Sequence, residues 1–269
     1  MTISSWELDA RTAADDPMRR DLRARMNRTG FLVLRNALDR RAVIDLGQRL
    51  KSEFHRLRGE ASGFSEELSK SLARSEMPAH EEIARFRLDP RNYEPLTSSR
   101  PLTTILNALM GGEFFWHFPT MFREMSPSNG KGSLPYHQDF SYNAHYPSLM
   151  TVWVPLSDAG GQAPGLEVVE ASLDVKFKHG PQGPWEFGAA DADIAPVLKR
   201  NPVHQLMTPA GDVVLFPELT LHRTNLRPGM TETRFSMDAR AVSIRSISDE
   251  VKAKRRFIRG DVAELVKLA

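Results

Sequence analysis

His137-Gln138-Asp139 sets an imidazole and a carboxylate two residues apart, with His222 and then Arg234-Phe235-Ser236 far downstream. On an extended strand the side chains at i and i+2 point to the same face, so His137 and Asp139 can grip one ion from one side. A second imidazole, His222, delivered from another strand completes two nitrogens and a carboxylate on one face of a metal. The opposite face stays open, which is the ligand set of non-haem Fe(II) oxygenases. Twelve residues after His222, Arg234 can hold a carboxylate in a two-donor fork, and Ser236 can hydrogen-bond the same group. These residue types in this order point to an oxygenase that uses Fe(II) and a 2-oxo acid.

A His-x-Asp pair alone says little in a chain with eight histidines; its weight comes from context. Tyr136 to Phe140 reads as a short strand, and Gly211-Asp212-Val213-Val214-Leu215-Phe216 as a turn feeding a buried strand that leads to His222. Thr233 to Val242 alternates. Phe235, Met237, Ala239 and Ala241 fall on one side and Arg234, Ser236, Asp238 and Arg240 on the other. A strand with that division suits a barrel whose interior is a binding site. Other histidines compete for the third ligand position. His117 sits among aromatics and reads as a core or pocket-wall residue, while His145 is too near His137 to come from another strand without a sharp turn. His179 and His204 bound a polar stretch and read as solvated. Arg240 reads as a partner of Asp238, with a ligand carboxylate as its alternative.

With these residues in view, the chain resembles the phytanoyl-CoA dioxygenase-like family of Fe(II)/2-oxoglutarate dioxygenases. The resemblance runs from Thr29-Gly30-Phe31-Leu32-Val33-Leu34 through Tyr136-His137-Gln138-Asp139, Val152-Trp153-Val154-Pro155-Leu156-Ser157-Asp158-Ala159 and the Gly211 strand to Arg234-Phe235-Ser236. It implies a double-stranded β-helix (jelly-roll) core, Fe(II) on His137, Asp139 and His222, and 2-oxoglutarate and O2 as co-substrates. The distal carboxylate would lie on Arg234 and Ser236. Thr224 stands where relatives place a hydroxyl near the cosubstrate, or is a turn-forming Thr; Trp153 would wall the cosubstrate pocket, or is plain core. The implied reaction releases succinate and CO2 and hydroxylates a C–H bond of a small molecule, with desaturation, epoxidation and cyclisation open. Asp139 stands where halogenating relatives have a small residue, which disfavours halogenation. The chain departs from the pattern at Glu170-Ala171-Ser172-Leu173, where members carry Pro-Gly-Ser-His; this bears on the substrate and leaves the metal ligands untouched.

Composition fits an ordinary enzyme. The 269 residues suit a single jelly-roll domain: a helical part over about 1–112, the core over about 113–245 and a helical, basic tail over 246–269. A formal net charge of +2 argues against nucleic acid as a partner, and with it against a demethylase reading of the Arg234/Arg240 spacing. No apolar run approaches the ~20 residues that span a bilayer. The start lacks a basic segment followed by an apolar one, and there are no cysteines, so a cytoplasmic location is expected. The rival in another class is a non-oxidative, cupin-like metal barrel or ligand-binding module with the same three ligands.

Periodicity places the supporting elements. Asp15-Asp16-Pro17 opens a helix that Gly30 ends, and Phe31 to Leu34 is a short buried strand. Asp39 caps a second helix carrying Val43, Leu46, Leu50, Phe54 and Leu57 on one face, with Gly59 as its stop. Pro101 to Met110 is a third helix, ended by Gly111-Gly112. Residues 60–98, with Phe64, Phe86 and Tyr93, and the polar stretch 174–204, with Phe177, Trp185 and Phe187, read as covers over the site.

Overall fold

The computed structural model describes residues 5–61, 86–128, 133–141, 148–182 and 185–266. A short strand, β1 (Glu7–Asp9), leads into helices α1 (Ala10–Ala13) and α2 (Asp16–Thr29). Gly30 ends α2 in the left-handed region at φ 82°, a conformation that glycine adopts without Cβ strain. At the opposite end of α2 the Asp15 side chain makes no capping bond. Strand β2 (Leu32–Arg35) follows, then helix α3 (Arg40–Ala61). Asp39 caps α3 by accepting the N–H groups of Arg41 at 2.8 Å and Ala42 at 3.0 Å, and Val43, Leu46, Leu50 and Phe54 form its buried stripe. This helix runs past its expected stop at Gly59. A helical glycine costs about 1 kcal/mol but breaks nothing unless the backbone turns left-handed.

Of the expected cover at 60–98, residues 62–85, including Phe64, lie outside the described residues. Part of the remainder joins the core: Tyr93 and Leu96 are buried, and the Tyr93 hydroxyl donates to the His117 carbonyl at 2.7 Å. Helices α4 (Glu94–Thr97) and α5 (Arg100–Met110) follow, and Gly111 ends α5 at φ 82° as expected.

The rest is mostly strand: β3 (Phe114–Phe118), β4 (Met121–Met125), β5 (Leu149–Pro155), β6 (Gly165–Val169), β7 (His179–Gln182), β8 (Trp185–Ala189), helix α6 (Asp191–Arg200), β9 (Val203–Gln205), β10 (Val213–Pro217), β11 (His222–Asn225), β12 (Arg234–Ser243), helix α7 (Asp249–Lys254), β13 (Arg256–Arg259) and β14 (Leu265–Val266). Among the described residues, a nine-stranded sheet runs β1-β2-β10-β5-β12-β3-β13-β14 with β4 also on β12, and a three-stranded sheet runs β11-β6-β9. The outer face of the large sheet packs under the helices, where Val152, Val154, Met237 and Ala239 meet Leu46, Leu50, Leu102 and Ile105. Its inner face turns Trp153, Val214 and Phe216 toward Leu166 and Val168 of the small sheet. Two sheets closed on a shared interior with helices outside make the expected jelly roll. Strands β1 and β2, inside the helical N-terminal part, extend the large sheet.

Three further segments differ from the sequence reading. Tyr136 to Phe140 is no ladder strand: His137 forms a single bridge to His222, and Asp139–Ser141 is a 3-10 turn. The stretch 174–204 is structured rather than a polar loop, a β7–β8 hairpin followed by α6. Its Phe177, Ala189, Ile194 and Val197 form an apolar cluster with Tyr136 and Leu221, drawn from apolar residues spaced too sparsely among charges to show a period. In the tail, α7 is only six residues long. The buried Phe257 and Ile258 that follow put β13 on β3 instead of continuing a helix. No helix among the described residues is long and apolar enough to cross a membrane.

Candidate metal centre

The single bridge between His137 and His222 is what brings the two imidazoles together. Each residue's N–H donates to the other's carbonyl, at 3.0 and 3.1 Å, and the rings lie 4.2 Å apart between centroids. A carbonyl oxygen only accepts, so the contacts of His137 Nδ1 to Pro135 O at 2.8 Å and His222 Nδ1 to Thr220 O at 2.9 Å put a proton on each Nδ1. Both Nε2 atoms then keep a lone pair, the arrangement by which backbone carbonyls orient ligating histidines. The turn after His137 swings Asp139 back, with Oδ1 3.9 Å from His137 Nε2. One ligand atom from each of His137, Asp139 and His222 lies within 4.8 Å of the others, and all three residues are buried.

The protonation states suit a cation. Burial pushes His137 down to about 3, with His222 adding to the effect, and burial lowers His222 as well, so both rings are neutral at physiological pH. Burial alone would raise Asp139. Arg240 above all, then the two imidazoles and a hydrogen bond from Thr151, hold its carboxyl below the usual range. Both of these contacts fall on one oxygen: Oδ2 accepts from Thr151 Oγ1 at 2.5 Å and forms an ion pair with Arg240 Nη2 at 3.1 Å. Oδ1 is left toward the imidazoles. Two neutral nitrogens and one ionised oxygen on a dry, one-sided face match what Fe(II) takes from a protein.

Arg234 lies on the interior face of β12 with Ser236, in the same pocket as the three residues, and is 2% exposed. Its Nη1 donates to Gly165 O at 3.2 Å, and its guanidinium carbon is 5.5 Å from the Trp153 ring centroid. Burial pushes it down to about 10, still a cation at neutral pH. Arg234 Nε and Ser236 Oγ are buried with no hydrogen-bond partner, a costly state for a dry guanidinium and hydroxyl. A carboxylate end of a 2-oxo diacid would satisfy both, so the residues present fit that cosubstrate too. Trp153 and Thr224 line the same pocket. Thr224 Oγ1 also accepts the Leu134 N–H at 3.0 Å, tying down the segment before His137.

Several residues sit elsewhere than the sequence reading placed them. Arg240 pairs with Asp139, not Asp238, whose Oδ2 takes Arg123 Nε at 2.5 Å. Opposite charges two residues apart on one strand are less well placed for each other than for partners on adjoining segments. His179 is not solvated: its Nε2 accepts the Gln138 N–H at 2.9 Å. His204 Nε2 lies 2.7 Å from a Glu170 oxygen, and its ring sits against Trp6 and Phe31. His117 lies partly buried on β3, and His145 lies outside the described residues. Sequence reasoning missed Thr151, Arg123 and Gln138. Thr151 was within reach, since it shares the period-2 face of β5 with Trp153.

A family model described as phytanoyl-CoA dioxygenase (PhyH) matches residues 26–226. A comparison with individually curated proteins finds no match. Among solved structures, EctD from S. alaskensis with bound Fe is similar at a TM-score of 0.58 and 16% identity, covering 84% of this chain and 77% of that one. A non-heme monooxygenase, ThoJ, is similar at 0.56 and 19%, covering 83% and 77%. The epimerase SnoN, in complex with Fe3+, alpha ketoglutarate and nogalamycin RO, is similar at 0.53 and 16%, covering 92% and 89%. At these identities the structures speak for the fold, and the family model, which spans most of the chain and both ends of the His-Asp-His set, places it: the chain belongs to the phytanoyl-CoA dioxygenase family of Fe(II)/2-oxoglutarate-dependent dioxygenases.

Proposed function

We propose that the protein hydroxylates a C–H bond of a small-molecule metabolite in the cytoplasm, holding Fe(II) on His137, Asp139 and His222 and 2-oxoglutarate on Arg234 and Ser236. One observation carries this reading: the buried His-Asp-His cluster shares a pocket with a buried Arg234 whose Nε lacks a partner. A cupin-like metal barrel has no use for a dry carboxylate clamp beside its metal. Bound there, the iron supplies the activation of O2 that couples decarboxylation of 2-oxoglutarate, to succinate and CO2, with oxidation of the substrate.

The chain's own residues do the holding. The Pro135 and Thr220 carbonyls fix the imidazole tautomers. Thr151 and Arg240 hold Asp139 through one oxygen. Arg234 and Ser236 receive the distal carboxylate, Trp153 flattens one wall against the Arg234 guanidinium, and Thr224 is placed to assist. The apolar cluster of Phe31, Trp153, Leu166 and Phe216 keeps water from the closed end.

The test is anaerobic addition of Fe(II) and 2-oxoglutarate, read by the weak visible charge-transfer absorption, followed by succinate measurement after air is admitted. His137→Ala, Asp139→Ala and His222→Ala should each abolish the absorption and the turnover while circular dichroism stays that of the parent. Retained turnover in any of the three would mean that its role is wrongly assigned.

A further inference from the structure

The charges that line the pocket do not cancel once the proposed ligands are counted; this inference rests on the function proposed above. Arg123 is matched by Asp238 at 2.5 Å. Arg234 is matched by the distal carboxylate of 2-oxoglutarate. The two positive charges of Fe(II) are matched by Asp139 and by the carboxylate beside the keto group. Arg240 is then left over. Among the described residues Asp139 is its one carboxylate partner, at 3.1 Å, and that carboxylate's charge is already engaged by the metal. The Arg240 side chain is 13% exposed, and a guanidinium so placed is costly without a counter-charge.

Its surroundings add positive charge rather than remove it. Strand β12 pairs with β3 so that Ala241 lies opposite Trp116, which makes Arg240 and His117 neighbours on the interior face. His117 is neutral, held down to about 4 by burial and then by Arg255, Arg240 and Arg87. Arg87 is half-buried and donates to the Thr120 carbonyl at 3.0 Å and to Met121 sulfur at 3.6 Å, neither of them a charge. The charged neighbours that act on His117 here are cations, and Glu218, a carboxylate that feels Asp139, is held toward its neutral form chiefly by burial.

We infer that the substrate carries one anionic group of the carboxylate class and that Arg240 receives it beside the metal, making this Arg the determinant of substrate charge. A guanidinium is suited to the task because its fork can keep one donor on Asp139 and turn others to a second carboxylate.

The experiment uses the anaerobic protein loaded with Fe(II) and 2-oxoglutarate, with matched probes: phenylacetate against phenylacetamide and hexanoate against hexanamide. Perturbation of the charge-transfer absorption is titrated for each. At least one acid should half-saturate at a concentration tenfold or more below its amide. Arg240→Gln should erase that preference, and Arg240→Lys should keep part of it. The inference is overturned if acids and amides act alike in the parent protein, if no acid perturbs the absorption, or if Arg240→Gln retains the preference, which would mean acids bind the metal directly. Should Arg240→Gln fail to load, the parent comparison and Arg240→Lys still decide. Absence of any absorption with Fe(II) and 2-oxoglutarate in the parent would instead refute the function on which the inference rests.

Discussion

At Arg234 the structure holds a guanidinium almost without solvent and leaves Nε unpaired, a local cost that a bound carboxylate would offset. Truncating one partner of a buried charge pair costs roughly 2–5 kcal/mol. Arg234→Ala should therefore raise the apparent KM for 2-oxoglutarate by a factor on the order of thirty or more, while Fe(II) affinity stays nearly unchanged. Arg234→Lys should recover only part of the loss, because an ammonium lacks the planar fork. Succinate release at varied 2-oxoglutarate, alongside an Fe(II) titration, separates the two quantities. If Arg234→Ala binds 2-oxoglutarate as tightly as the parent, the clamp is misassigned and the cupin-like reading gains. Arg240 shows the other side of the same physics. Its neighbour in sequence, Asp238, is claimed by Arg123, and only the three-dimensional approach of the Asp139 turn gives Arg240 a partner.

Among the elements, the segment between β6 and β9 matters most, because it braces the metal turn from outside. Gln138, wedged between the two ligands in sequence, donates through Nε2 to Val175 O at 2.7 Å and Leu219 O at 2.6 Å, and accepts the Phe177 N–H at 2.9 Å. Gln138→Ala would strand these buried groups at roughly 1–3 kcal/mol apiece where no water replaces the bond. It should lower both the melting temperature and Fe(II) affinity, whereas a change to an exposed residue of α6 should lower neither. Unchanged Fe(II) affinity in a folded Gln138→Ala protein would show that the brace does not reach the metal. The helices and β12 were legible beforehand because their signals are local: glycines at Gly30 and Gly111 that take positive φ, an Asp39 cap, and a polar–apolar alternation from Arg234 to Ala241. The His-Asp-His cluster was legible from its residue types and order, although a turn at Asp139, and not the expected strand face, brings the three groups together. The brace was not, since Gln138 carries no periodic signal and its partners lie 37 to 81 residues away. The tail misled for a related reason. Lys252, Lys254 and Arg255 look like a solvated helix face, and nothing local says that Phe257 will be buried against β3.

For the molecule as a whole, burying neutral histidines links stability to pH. His117 and His137 fall to about 4 and about 3 from an ordinary 6.5, both chiefly through burial, and His179 and His222 are lowered for the same reason. Between those values and 6.5 the unfolded chain binds more protons than the folded one. Stability is therefore complete above about pH 6.5 and is lost as pH falls toward 4. Asp139, lowered below the usual carboxylate value, acts in the same sense but only in stronger acid, so it adds nothing to the trend between pH 7 and pH 5. One titrating group contributes about 1.4 kcal/mol per pH unit inside its window. The metal-free protein should thus lose roughly 2–4 kcal/mol between pH 7 and pH 5 from His117 and His137 together, a large share of a typical folding free energy of about 5–15 kcal/mol. Urea unfolding of the metal-free protein at the two pH values measures the loss directly. His117→Asn removes a titrating group that is not a proposed metal ligand and should flatten the dependence by about one proton's share. Equal stability at pH 5 and pH 7 would mean that these rings are hydrated and titrate normally, and that the pocket is far wetter than its packing indicates.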